Sequence, residues 1–336
     1  MASGKRVRAR HDAVAPDQTG ATAHRLGPRA RAAAHLLHYG LGLTVRKVPA
    51  VLEALTGLKI TQGAITRDAL RQMRGPVGAA YQRLREGVPE SYYVHTDDTG
   101  WRIGGDNAHL MAFETTGPDP KVVFQIRERH RNEEVRELIP PNFAGVMTTD
   151  RGRSYDAEEL AAIEQNKCIS HLLRNIAKAQ ESQPPGARAF GNKLRAQFDE
   201  AIQLWHAYQA GTLSLDEYLD RGAELQAAVE HLLRPRRLRD PDNQRLLDGF
   251  GKQAERGHLL RFLDDPGIEP TNNRAERALR PAVIARKVSQ CSKTNNGAEA
   301  HAGFLSVLQT LARRGIDMLE GLAGIMSGKP LEQVLA

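Results

Sequence analysis

Three acids stand where a cluster of hard oxygen ligands could form. Asp97 lies in VHTDDTGW, directly after the β-rich run Tyr92–Thr96, and Asp150 lies in VMTTDRGRSYD, directly after the strand-like run Ala144–Thr149. Glu276 lies in EPTNNRAER, one turn into a helix that follows the TNN cap cluster. A single acid at a strand end commonly does no more than cap a turn. Three that converge suit Mg²⁺ or Mn²⁺, which prefer carboxylate oxygens. Two such ions about 3.5–4 Å apart can activate an attacking oxygen and stabilise a leaving one during in-line phosphoryl transfer.

Convergence depends on the elements that carry the acids. After Gly87 and Pro89 the periodicity becomes strand-like, with runs at 92–96, 108–115, 122–127, 144–149 and 167–169. DDTGWRIGGDN and TGPDP read as turns. Helices are expected at 132–139, at 157–165 and from about His171. The order β-β-β-α-β-α-β-α is that of a ribonuclease H-like domain, in which the first and fourth strands are central neighbours. Their ends would then set Asp97 beside Asp150, and a following helix would lay Glu276 across them.

Residues 181–264 break this rhythm. Ala187–Ala210, Ser214–Leu233 and Asp242–Phe262 all read as helices, separated by GT and the basic stretch RPRRLRDPD. Upstream, residues 28–73 are helical, and VPAVLEALTGLKITQGAITRDALRQM has the shape of a helix-turn-helix with Thr61 capping its second helix. That helix would present Gln62, Thr66, Arg67 and Arg71 to a groove, with Arg46 and Lys47 nearby; a small helical bundle would look the same. The expected fold is α/β: a ribonuclease H-like mixed sheet with a large all-helical insertion, plus an N-terminal helical, helix-turn-helix-like domain. The expected units are a basic flexible arm (1–24), a helical DNA-binding domain (25–86), a catalytic core (87–180 plus 265–300), the insertion (181–264) and C-terminal helices (301–336).

Composition sets the bounds. Of 336 residues, 40% are hydrophobic and 26% charged, so a packed core is expected. No run reaches the ~18 apolar residues of a membrane helix, and MASGKRVRAR has no apolar stretch behind it, so no membrane partner and a cytoplasmic location are expected. Two cysteines cannot make a disulfide framework or a four-cysteine zinc site. The formal charge is +7, and residues 1–50 hold nine Lys/Arg against two aspartates. A basic end on a balanced body either touches phosphates or solubilises the chain.

Four blocks, HTDDTGWRIGG, VMTTDRGRSYD, CISHLLRNI and GIEPTNNRAERALRPAVIARK, occur in the order that resembles the transposases of the insertion-sequence family numbered sixty-six. The resemblance covers about residues 25–325, because GPRARAAAHLLHYGLGLTVRKVPAVLEALTGLKITQGAI is similar to the segment those proteins carry before their catalytic domain. It implies a DDE-type DNA transposase with Asp97, Asp150 and Glu276 as catalytic metal ligands for two Mg²⁺ or Mn²⁺ ions. Double-stranded DNA, as element ends and target, is the implied partner, with a homo-oligomer assembled on it. Cys168 and His171 match a C-x-x-H element of DDE enzymes with large helical insertions; they also fit core packing or a zinc half-site. Family members carry a further N-terminal portion with a cysteine-rich zinc module, in whose place this sequence has the basic arm. They usually have Glu at the position of Asp98 and an aromatic residue at that of Gly152. Neighbouring strand residues face opposite ways, so only one of Asp97 and Asp98 faces the metals, and Asp97 matches the family's acid by position.

Arg277 and Arg280 follow Glu276 and either hold phosphates or pair with a sheet-end acid. Trp101 either stacks on a base or packs beneath the sheet. The Arg234–Arg239 cluster is either solvated or a phosphate contact, and Trp205 reads as core. The implied activity is the cutting and joining of strands at element ends by hydrolysis and strand transfer. The alternatives are a truncated, non-enzymatic repressor that occupies element ends, and a nuclease without strand transfer.

Overall fold

The computed structural model describes residues 26–289 and 291–336. The basic arm, 1–24, lies outside the described residues. Its centre is a five-stranded mixed sheet, β1 (Tyr93–Ile103), β2 (Asp106–Thr115), β3 (Val122–Arg127), β4 (Val146–Thr149) and β5 (Glu164–Lys167), in the order β3-β2-β1-β4-β5. β1, β2 and β3 are antiparallel, whereas β4 runs parallel to β1 and β5 parallel to β4. β1 and β4 are therefore central neighbours, consistent with a ribonuclease H-like domain.

β1 is longer than its sequence suggests. DDTGWRI was expected to turn, yet it stays paired to β2 from Val94↔Thr115 through Ile103↔Asp106. Polar Asp97 and Asp98 hide the alternation, but cross-strand pairing holds the segment extended. Only Gly104 and Gly105 turn, at φ of 64° and 110°; glycine has no Cβ to oppose such angles, so a two-residue hairpin closes there. Asp97 and Asp98 thus lie inside the strand and not after it.

Two further elements differ from expectation. The helix expected at 157–165 is only a single turn, Glu158–Leu160, and the strand expected at 167–169 is β5, three residues earlier. Gln165, Asn166 and Lys167 are buried in β5, and a buried run of polar side chains carries no apolar signal. Distant groups pair with them, although Asn166 Oδ1 is left without a partner: Gln165 donates to Tyr155 O (2.8 Å), Asn166 Nδ2 to Glu269 O (3.0 Å), and Lys167 Nζ pairs with Asp156 at 2.9 Å. Burial lowers the Lys167 pKa, an effect that the Asp156 carboxylate opposes.

The N-terminal helices are α1 (Pro28–His35), α2 (Val48–Thr56), α3 (Gln62–Met73) and α4 (Pro76–Glu86). Ala34, Val48, Leu52 and Ile65 close a small core between the first three. Ala32, Ala69, Val77, Tyr81 and Leu84, however, join the principal core with the sheet and with α11 (Asn295–Arg313) and α12 (Met318–Met326). The segment expected as the 25–86 helical unit therefore shares its core with the sheet. α11 also covers the sheet edge. Ser306 Oγ accepts from Phe124 N (2.8 Å) and Thr310 Oγ1 from Val122 N (3.0 Å), so β3 offers fewer open groups for pairing with another chain. A short α13 (Leu331–Leu335) ends the chain, giving three C-terminal helices.

Between β3 and β4 lies α5 (Asn132–Arg136), shorter than expected, and after β5 comes α6 (Ile169–Glu181). From 181 to 264 the described chain holds helices and no strand: α7 (Arg188–Gln209), α8 (Leu215–Leu232) and α9 (Pro241–Glu255). Ser214 and Glu217 form a capping box at α8, and Asp240 caps α9. These helices bury Leu194, Phe198, Tyr218, Phe250 and Phe262 in a second core that reaches the sheet at Val146. The chain returns through α10 (Asn273–Ser289), which lies along β1. No helix of the described residues is long and apolar enough to cross a membrane.

Candidate active site at β1, β4 and α10

Parallel pairing of His95 with Thr148 brings the acids together. Two residues beyond that pair stand Asp97, still within β1, and Asp150, directly after the end of β4. Asp150 Oδ1 accepts the N–H of Gly152 at 2.8 Å, which holds its carboxylate at the strand exit. A Cβ at Gly152 would lie 2.9 Å from that oxygen, so any side chain there crowds it.

α10 delivers Glu276. Asn272 stands at the head of the helix, where its carbonyl accepts from Glu276 N at 3.2 Å. Arg174 of α6 reaches the carboxylate, with Nη2 at 3.4 Å from Oε1. Arg286, later on α10, donates to Thr99 Oγ1 at 3.2 Å and fixes the helix along β1.

Asp97 registers the crowding. Burial pushes its carboxyl up to about 7, opposed by a hydrogen bond from Asp98 N at 2.9 Å and reinforced by the charges of Asp150, Asp98 and Glu276. Among these acids and Arg174 there is one ion pair, so negative charge is in excess, and all donors are hard oxygens. This donor set fits a divalent cation of the Mg²⁺ or Mn²⁺ class.

Asp98 faces the other side of the sheet. His109 Nδ1 lies 3.0 Å from its Oδ2 and His130 Nδ1 lies 3.1 Å from its Oδ1. Burial alone would raise this carboxyl, but the two histidines outweigh it and hold it below the usual range.

Cys168 is buried at the start of α6, and its Sγ accepts from Asn272 N at 3.2 Å. It packs the junction of β4, α6 and α10. His171 is half-buried one turn on. Its pKa is lowered by burial first and by Arg174 next, against the pull of Asp150 and Glu276. The insertion also touches this region: the Arg151 guanidinium stacks 4.9 Å from the Phe250 ring, and Gln253 donates to Asp156 at 3.0 Å.

Trp101 does not reach the site. It is 3% exposed, its indole donates to Ser292 Oγ at 3.2 Å, and its ring lies 4.9 Å from that of His301. Stacking on a base is excluded by this burial. Arg277 and Arg280 are exposed, and among the described residues neither forms an ion pair. Pairing with the sheet-end acids falls instead to Arg274, which meets Glu269 and, at 3.8 Å, Glu114.

On α3, Thr61 caps the helix by accepting from Ala64 N at 3.1 Å. Gln62, Thr66 and Arg67 are exposed, as are Arg46 and Lys47 before α2, whereas Arg71 is tied to Asp68. Sequence reasoning missed Arg174, Asn272 and the Asp98 pair of histidines. Arg174 follows His171 by three positions and so shares its helical face, a spacing that could have flagged it. Asn272 was legible only as a cap, and nothing local links His109 to His130.

Comparison with known proteins gives two matches. The profile described as Transposase IS66 family matches residues 24–300. A protein of Sinorhizobium fredii described as "Uncharacterized protein y4qI" is 36% identical over 87 residues, which is 25% of this chain and 16% of that protein.

Proposed function

This chain belongs to the IS66 family of transposases, and we propose that it cuts and joins DNA strands at the ends of an insertion element. The observation that carries this reading is the proximity of Asp97 in β1 to Asp150, directly after the neighbouring parallel strand β4, and to Glu276 on α10, all close enough for their charges to act on the Asp97 carboxyl. In it, Asp97, Asp150 and Glu276 would hold two Mg²⁺ or Mn²⁺ ions. When bound, these supply the positive charge that favours oxygen attack at phosphorus and departure of the leaving oxygen.

The chain's own groups prepare that chemistry. Asp97, whose carboxyl is pushed up by burial and by the neighbouring acids, would gain most from a cation that offsets their charge. Asp150 is aimed by the Gly152 N–H and Glu276 by Arg174. Burial and Arg174 lower the His171 pKa, which disfavours a competing positive charge there. Arg277 and Arg280, exposed beside Glu276, hold phosphates of the scissile strand. Gln62, Thr66 and Arg67 on α3, with Arg46 and Lys47, form the further DNA surface in a helix-turn-helix manner. The insertion braces the Asp150 loop through Phe250 and Gln253.

Incubation with cognate element ends and Mn²⁺ tests this reading. Nicked ends followed by joined products are expected from the wild type. Tight binding of the ends with no cleavage would replace it with the repressor reading, and nicking without joining would leave a nuclease.

A further inference from the structure

On the face of β1 turned away from the three acids, one carboxylate is held between two imidazoles. Asp98 pairs with Met111 across the β1–β2 ladder and Gly100 pairs with His109, so Asp98 and His109 are diagonal neighbours on one face. His130 arrives from the segment after β3. Its ring centroid lies 5.6 Å from that of His109 and 5.3 Å from the ring of Tyr155. The two Nδ1 atoms stand 3.0 and 3.1 Å from separate oxygens of Asp98. One ligand atom from each of the three residues lies within 4.8 Å of the others.

These separations match a coordination shell. With bonds of about 2.0–2.1 Å, the ligand atoms of a tetrahedral zinc site stand roughly 3.3 Å apart. The two carboxylate–imidazole separations already lie near that spacing, and the imidazoles, whose ligand atoms lie within 4.8 Å of each other, close in on an ion to complete it. The donor set differs from that of the three acids: two imidazoles and one carboxylate favour Zn²⁺ or Co²⁺ over Mg²⁺. The side chains of Asp98, His109 and His130 are 26%, 38% and 11% exposed, so one side is open to an entering ion and to water. His130 Nε2 is buried without a hydrogen-bond partner, so Asp98 is the polar partner that anchors this ring.

We infer that Asp98, His109 and His130 form a second cation site for a borderline divalent transition metal, with solvent completing its shell. The site ties β1, β2 and the segment after β3 into one junction. It also reaches the acids through one residue, because the Asp98 N–H donates to Asp97 Oδ1 at 2.9 Å. An ion on Asp98 thereby fixes the peptide that aims the Asp97 carboxylate.

The test uses the full chain stripped of metal with a chelator and titrated with Co²⁺, whose visible absorption reports nitrogen ligands in low coordination. One absorbing equivalent is expected in the wild type and also in an Asp97→Asn, Glu276→Gln variant, which disables the three-acid site whatever its role. His109→Ala, at the most exposed of the three ligands, should weaken this binding at least tenfold. Zn²⁺ should raise the melting temperature of the Asp97→Asn, Glu276→Gln chain, and adding His109→Ala to that same chain should abolish the rise. Circular dichroism verifies that each variant is folded, and His109→Gln replaces His109→Ala if the latter is not. Absence of the absorption in wild type, or its persistence in the folded His109 variant, would reduce the cluster to a hydrogen-bonded ion pair and overturn the inference.

Discussion

The carboxamide of Asn272 donates to the main-chain oxygen of Thr96 at 2.7 Å, one residue before Asp97. Its own N–H donates to Cys168 Sγ, and its carbonyl accepts from Glu276 N. One fully buried residue thus joins β1 through its side chain, and the start of α6 and the head of α10 through its main chain, the elements around the three acids. Asn272→Ala leaves the Thr96 oxygen buried and unpaired, which should cost about 1–3 kcal/mol. Cleavage should fall more than stability does, because Glu276 loses its anchor to β1. Denaturant unfolding beside a nicking assay checks this; equal activity per folded molecule would show that Asn272 only supports the fold.

Removal of any of the three acids should abolish cleavage while leaving folding and DNA binding largely intact. Asp97→Ala, Asp150→Ala and Glu276→Ala are each expected to lose at least about a hundredfold in rate, since misplacement by a single ångström already costs that much. Asp98→Ala should be milder, because its carboxylate faces His109 and His130. If Asp98→Ala is as inactive as Asp97→Ala, the choice between the neighbours is wrong.

Arg174→Ala removes an exposed ion pair, so its effect on stability should stay within about 0–1 kcal/mol. Its effect on the site should be larger. Partners that orient metal ligands typically contribute about 10–100-fold in metal affinity, so the Mn²⁺ concentration for half-maximal cleavage should rise. Arg174→Lys should restore part of it. An unchanged Mn²⁺ dependence would remove Arg174 from the machinery.

Arg277 and Arg280 should act on DNA through phosphates alone. The double alanine variant is expected to weaken binding to all sequences alike and to reduce the slope of log affinity against log salt by about 1.8. Trp101→Ala should behave oppositely. It empties a buried site and should cost about 3–5 kcal/mol, without changing DNA affinity at temperatures where the chain remains folded.

Three buried histidines, His95 among them at about 4, make the fold sensitive to acid. Burial, with His38 adding to it, pushes His301 down to about 3; burial, Lys167 and Arg256 push His258 down to about 4. All three values lie below the ordinary 6.5, so the unfolded chain binds protons that the native state refuses. The stability they support is present above pH 6.5 and is lost as pH falls toward about 4, at up to about 1.4 kcal/mol per unit for each. Guanidinium unfolding at pH 7.5 and 5.5 measures this, and His301→Phe should flatten the dependence by roughly a third. An unchanged slope in that variant would count against His301.

The strands and helices that carry Asp97, Asp150 and Glu276 were legible in the sequence because each stands at or near a break in apolar periodicity. The order of those elements was enough to make β1 and β4 neighbours. Thr61, Ser214 and Asp240 announced their helices, because a cap acts on N–H groups only two or three residues away. What the sequence could not express was any feature whose partner lies far along the chain. β5 looks polar because Gln165 and Asn166 find partners in Tyr155 and Glu269. Trp101 looks available for stacking until α11 brings His301 against it. The facing of Asp98 toward His109 and His130, and the pinning of β1 to α10 through Asn272, exist only once the sheet has its register and the helices have packed. Local propensity reaches a few residues, whereas burial and hydrogen-bond satisfaction are decided by whichever distant groups the fold assembles around them.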